Sequence, residues 1–146
     1  MEDLDRQIVR LLAADGRMSW TDLGRATGLS TSAAQQRVRR LEQRGILRGY
    51  VAVVDATAAG LPLTAFISVR PTDPAAPDDI PERLAHLDAI EACHSVAGDM
   101  SYILKVRVAG PTELETLIAA VRSLAGVDTR TTVVLSTPYE ARPPAL

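Results

Sequence analysis

The chain has 146 residues, 47% apolar and 23% charged, a balance that suits one domain or two small ones and excludes wholesale disorder. No apolar run is long enough to span a bilayer, and the opening MEDLDRQIVR carries acids where a secretory signal would carry basic and then apolar residues, so a cytoplasmic chain with no membrane partner is expected. The net charge of -2 is unevenly spread, with nine arginines against six acids in residues 1–50 and seven basic groups against twelve acids in residues 51–146, which points to an N-terminal module that meets a polyanion and a C-terminal one that does not.

From Asp3 to Ala14, Leu4, Ile8, Leu11 and Leu12 recur at helical spacing, and Asp15-Gly16 ends the run. Ser19 followed by Asp22 has the spacing of a capping box, with Leu23 and Ala26 as the inner face of a short second helix and Trp20 as a partly buried anchor of its first turn. Gly28 closes that helix and Ser30 caps a third running to Arg44, with Ala34, Val38 and Leu41 turned inward and Gly45 just past its end. Two helices joined by Gly28-Leu29-Ser30 form a helix-turn-helix. The β-branched run Ile46 to Val54 reads as either a small wing or an extended linker strand.

The remainder follows a βαββαβ order. A strand from Leu61 to Arg70 precedes a helix capped by Asp78 and Asp79 and ending near Leu87. Strands Ile90 to Ala97 and Tyr102 to Val108 flank the loop Gly98-Asp99-Met100-Ser101. A second helix opens at Gly110-Pro111 with Leu114, Leu117, Ile118, Val121 and Leu124 inside, and the last strand runs from Val127 to Thr137. This order fits a ferredoxin-like split βαβ unit, so the fold class is α+β. The expected division is 1–50 for the helical module, 51–60 for a linker, 61–140 for the sheet domain and 141–146 for a tail. An open sheet face carrying Phe66 among Thr64, Ser68, Lys105 and Arg107 suggests self-association.

The third helix would enter a major groove, with Thr31, Ser32, Gln35, Gln36 and Arg39 toward the bases. Arg37, Arg40 and Arg44, spaced by three and four, would hold phosphates together with Arg48. Arg39 either reads a guanine or holds a phosphate. An enzyme is not expected: no glycine-rich phosphate loop precedes a Lys-Ser/Thr pair, and His94 points away from both Cys93 and Ser95 along its strand, so neither a nucleophile–base pair nor a metal site forms. Cys93, the single cysteine, has no disulfide partner in the chain. No cofactor and no metal are expected.

The segments Asp5-Arg6, Ile8-Val9, Asp15-Gly16-Arg17, Asp22-Leu23-Gly24, Gly28-Leu29-Ser30, Arg37-Val38-Arg39-Arg40-Leu41-Glu42 and Gly45-Ile46-Leu47-Arg48-Gly49-Tyr50, with Val96-Ala97-Gly98-Asp99 ahead of Tyr102-Ile103-Leu104-Lys105-Val106, resemble the Lrp/AsnC or feast/famine family in order. The resemblance implies a transcriptional regulator, a winged helix-turn-helix joined to a βαββαβ regulatory (RAM) domain, dimerising through that domain and assembling to octamers, with double-stranded DNA and a small effector, usually an amino acid, as partners. It places the effector where dimers meet. On that basis Gly98, Asp99, Met100 and Ser101 would hold the carboxylate and ammonium groups, and His94 and Thr132, read as lying on neighbouring strands, would line the side-chain cavity. Two departures, Ser30-Thr31-Ser32 without the proline common near the start of the third helix, and Met100-Ser101 where an aromatic residue and an acid are frequent, mean that base contacts do not transfer from other members and leave the effector preference open; two alternatives stand beside the leading reading. These are a ligand-independent architectural DNA-binding protein and a small-molecule sensor whose helical module binds protein.

Overall fold

A computed structural model describes residues 1–145, and the chain divides into two compact units, Met1–Val53 with the segment from Tyr139 onward, and Val54–Pro138. The first unit packs three helices, α1 (Asp3–Ala14), α2 (Trp20–Thr27) and α3 (Thr31–Gln43), around Ile8, Val9, Leu12, Leu23, Ala34, Val38 and Leu41. Leu4 and Leu11 are only half-buried, and Val9 takes a core place beside Ile8 and Leu12. Ala26, expected inside, is exposed, because Gly24 occupies the inner face of α2 in its stead. The caps of α2 and α3 are local chemistry: Ser19 Oγ accepts from the Asp22 amide and Ser30 Oγ from the Ala33 amide, satisfying amides that the first helical turn leaves unpaired. Gly28 ends α2 in the left-handed region at φ 72°, and Trp20 is more exposed than its expected anchoring role implies, at 38%.

Beyond α3, residues 48–55 join no strand, and Val51 and Val53 are exposed at 91% and 98%. A β-branched run becomes a strand only against a partner ladder, and this segment takes the extended-linker form.

The second unit is an antiparallel sheet of β1 (Leu63–Pro71), β2 (Ile90–Ser95), β3 (Tyr102–Val108) and β4 (Val127–Val133) in the order β2-β3-β1-β4, with α4 (Ile80–Leu84) and α5 (Pro111–Ala125). Alternation sends Ala65, Ile67, Val69, Leu104, Val106, Val108 and Val127 to the side that packs on Ile80, Leu84, Leu114, Leu117 and Val121. Ala125 faces this core, whereas Leu124 is 39% exposed.

Several ends fall short of the sequence pattern, for reasons that lie in partners. Leu61 is held in a turn by its amide bond to Ala56, so β1 starts later. β4 stops at Val133, opposite Ala65, two residues short of the start of β1: the bond from the Val134 amide to the Thr64 carbonyl is the last rung, and Leu135 stands free at 97% exposure. α4 is a single short helix, after which Leu87 and Ile90 bond back to Leu84 and Leu87 and turn the chain into β2.

Candidate DNA interface and effector site

On α3 the core residues Ala34, Val38 and Leu41 define one side, and the helical repeat puts Ser32, Gln36, Arg39 and Gln43 opposite them, all exposed. Thr31 is exposed at the helix start and Gln35 half-buried on one flank. The other flank carries Arg37, Arg40 and Arg44. Gln43 is absent from the residues expected from sequence; its spacing of four from Arg39 and seven from Gln36 is the signal that places it on the same stripe. Arg39, Arg40, Arg44 and Arg48 are exposed, as groups that meet phosphates or bases must be.

Arg37 differs. Its Nη1 donates to Glu2 and to Asp5, each at 2.8 Å, and the side chain is 24% exposed. The Glu2 bond first and the Asp5 bond second raise the affinity of the guanidinium for its proton, against a smaller opposing effect of burial. Tyr50, beyond α3, donates to Glu42 at 3.0 Å, and burial first and this bond second push its pKa up to about 12.

In the second unit the loop at residues 96–101 closes with Val96 donating to the Ser101 carbonyl at 3.0 Å. The Ser101 amide donates to the Val69 carbonyl at 2.9 Å, so it is committed to the fold and does not point at a ligand. Gly98 adopts φ 133°, and a side-chain carbon built there would meet nothing within 4 Å. Asp99 is exposed and Met100 half-buried.

His94 and Thr132 do share the sheet face that the helices leave open, with Ile103, Lys105, Phe66 and Ser68 between them. They are not on neighbouring strands, however. His94 lies on β2 and Thr132 on β4, the two outer strands, with β3 and β1 in between. The sequence order of strands does not set their order in the sheet, and three inter-strand steps together with an offset of two residues along the strands separate the two residues by about 16 Å. Glu91 at the β2 bulge accepts from Arg107 at 2.6 Å and lies 3.6 Å from Lys105, and these interactions, the Arg107 bond above all, hold its carboxyl below the usual range against the effect of burial. Cys93 faces Leu104 and His94 faces Ile103, and among the described residues no His, Cys, Asp and Glu group could hold a metal ion.

The AsnC-type helix-turn-helix domain matches residues 1–42, and the Lrp/AsnC ligand binding domain matches residues 64–144. The chain belongs to the Lrp/AsnC family. The HTH-type transcriptional regulator LrpA of Mycobacterium tuberculosis is 49% identical over 142 residues, covering 97% of this chain and 95% of that protein. The leucine-responsive regulatory protein of Escherichia coli K12 is 35% identical over 140 residues, 92% of this chain and 85% of that one. Among solved structures, a feast or famine regulatory protein from M. tuberculosis complexed with L-methionine superposes with a TM-score of 0.95 at 49% identity, covering 98% of this chain and 97% of that chain. This Lrp/AsnC member is therefore a helix-turn-helix transcription regulator with a ligand-binding domain and not an enzyme. Among its described residues no helix is long and apolar enough to cross a membrane.

Proposed function

We propose that the chain binds duplex DNA in the cytoplasm as a symmetric homo-oligomer, through α3 in the major groove, and that an amino acid binding in the second unit changes its assembly or its DNA affinity. The observation that carries the first part is the outward stripe of α3: Ser32 and Gln36 supply donors and acceptors for base edges, with Arg39 beside them and Arg40, Arg44 and Arg48 exposed for phosphates. Thr31 and Gln35 lie toward the helix start, where recognition helices meet bases. The methionine complex of the relative at 49% identity supports the second part and makes L-methionine the first effector to test. Gly98, Asp99, Met100, His94 and Thr132 are the residues we assign to that site, with Ser101 acting through its side chain, since its amide is engaged. Assembly to dimers and on to octamers through the second unit is part of the same proposal.

Footprinting on upstream DNA, repeated with L-methionine, tests both parts. Two protected half-sites spaced about 34 Å apart, or a multiple of it, are expected. No protection at low salt, or one isolated half-site, would overturn the DNA reading. Light scattering of the same samples should change on adding the amino acid; unchanged size and unchanged DNA affinity across an amino-acid panel would leave a ligand-independent architectural protein.

A further inference from the structure

The helical unit contains an ion-pair cluster that groove reading by α3 does not explain. Asp5 is buried, at 7% exposure, with one carboxylate oxygen 2.8 Å from Arg37 Nη1 and the other 3.9 Å from Arg44 Nη1. The same Arg37 Nη1 donates to Glu2 Oε2 at 2.8 Å. Beside these groups lies a cavity of about 200 Å³ lined by Glu2, Asp5, Arg37, Arg40, Gln43 and Arg44.

The two carboxylates on Arg37 are not equivalent. The Asp5 side chain is 10% exposed and that of Glu2 is 73% exposed. Breaking the buried pair would leave an uncompensated charge inside the unit, whereas an exposed pair is weak and screened by salt. Asp5 is thus a fixed partner and Glu2 an exchangeable one. With both in place the cavity has three guanidinium groups against two carboxylates, and with Glu2 withdrawn, three against one. A phosphodiester oxygen is the anion that would restore the missing charge-assisted bond. The flank formed by Arg37, Arg40 and Arg44 adjoins the outward stripe of α3, where a strand backbone runs beside the groove that the stripe enters.

We propose that Glu2 is a built-in substitute for phosphate: in the free protein its carboxylate holds the place on Arg37 that a DNA phosphate takes in the complex, so Glu2 is displaced when α3 docks. Asp5 acts as a positioning residue that keeps Arg37 aimed from its buried side. The proposal rests on the reading of α3 as the groove helix. Its consequence is a sequence-independent brake on DNA affinity, because bonds to phosphate carry no base information.

The test compares Glu2→Gln with Asp3→Asn by fluorescence anisotropy of the full chain on a footprinted site and on a scrambled duplex. Asp3 is fully exposed and lies 3.6 Å from Arg6, so its substitution removes the same charge one residue away without touching α3. Displacing an exposed pair predicts that Glu2→Gln tightens binding by about 1.5- to 5-fold per subunit, equally on both duplexes, and that Asp3→Asn changes it by less than half as much. An unchanged or weaker Glu2→Gln complex, a gain confined to one duplex, or an equal gain from Asp3→Asn would overturn the proposal alone. Wild-type protein that bound neither duplex would overturn the reading of α3 and the proposal with it.

Discussion

Gly24→Ala puts two opposing effects of known size into one methyl group. In the interior of a helix, alanine is favoured over glycine by about 1 kcal/mol, so propensity alone predicts a more stable α2. The structure predicts the reverse. A side-chain carbon at Gly24 would lie 2.7 Å from the Leu29 carbonyl oxygen, and that atom is backbone, fixed by the Leu29 amide bond back to the Gly24 carbonyl at 2.9 Å. Relief requires the turn at residues 28–30 to move by roughly half an ångström, and overpacking of that kind costs about 1–3 kcal/mol. The net expectation is a loss of up to about 2 kcal/mol, a fall of roughly 4–8 °C in the melting temperature of the helical unit for each kcal/mol. Because Ser30 caps α3, the same movement displaces the start of the groove helix, so DNA affinity should fall by more than the unfolded fraction accounts for. Differential scanning calorimetry with anisotropy on the folded fraction measures both. Gly28→Ala is the internal comparison, since nothing lies within 4 Å of the added carbon and the cost is only that of φ 72°. A Gly24→Ala protein that melted higher than wild type would refute the close-approach argument.

Arg44→Ala should weaken binding to all duplexes alike and flatten the salt dependence by a slope of ~0.9 for each phosphate no longer neutralised, while Gln36→Ala should alter discrimination between sites by ~1–3 kcal/mol, both read from titrations at several salt concentrations. Ile67→Ala, at a site with no exposure in the sheet core, should cost about 2–5 kcal/mol in a denaturant melt. The bond from Tyr102 to Asp78 at 2.6 Å first, and desolvation second, push the Tyr102 pKa up to about 12. The folded state therefore holds that proton more tightly than the unfolded chain; the contribution is intact below pH 10 and is lost as pH rises through about 12, and Tyr102→Phe should remove this part of the alkaline loss in a pH series of melts. Gly98→Ala places a Cβ that meets nothing within 4 Å but holds it at φ 133°, so its melt should fall in either case; a shift from larger assemblies to dimers in sizing measurements beyond that fall would assign the loop to assembly, and a lowered melt alone would leave it as a turn.

What the sequence made legible was what short-range chemistry decides. Ser19, Gly28 and Ser30 announce their caps because each bond closes within a few residues, and α1 runs from Asp3 to Ala14 as its apolar spacing requires. The ends of strands were less legible, since β1 starts only after the turn that holds the Leu61 amide on the Ala56 carbonyl, and the register of β4 is set by β1, a segment about 70 residues earlier. The tie between Asp5 and Arg37 spans 32 residues and leaves no local trace beyond an acid beside an apolar stripe. It also changes how the arginine flank reads: three residues at helical spacing look alike in sequence, yet one of them is already bonded to two carboxylates. On the effector side, the sequence reading puts His94 and Thr132 on neighbouring strands, whereas they stand on the two outer strands, because strand order in the sheet is not contained in the order of strands along the chain.

That strand order bears on how a ligand could act. His94 and Thr132 stand on the two outer strands, about 16 Å apart across the sheet, farther than a free amino acid reaches. A single amino acid that touched both would have to take His94 from one copy of the chain and Thr132 from another. Such a site exists only in the assembled state, so its binding free energy counts toward assembly: at a free concentration 100 times the dissociation constant it favours the assembled form by about 2.7 kcal/mol for each site. In that case nothing inside the helical unit would need to rearrange for DNA binding to respond, because the number and spacing of α3 helices presented to the duplex would change with the assembly itself. A ligand that touched only one of the two residues carries no such requirement. Single substitutions of His94 and Thr132, mixed in one sample, separate these cases, since a site shared between copies regains binding when some pairs join two intact halves.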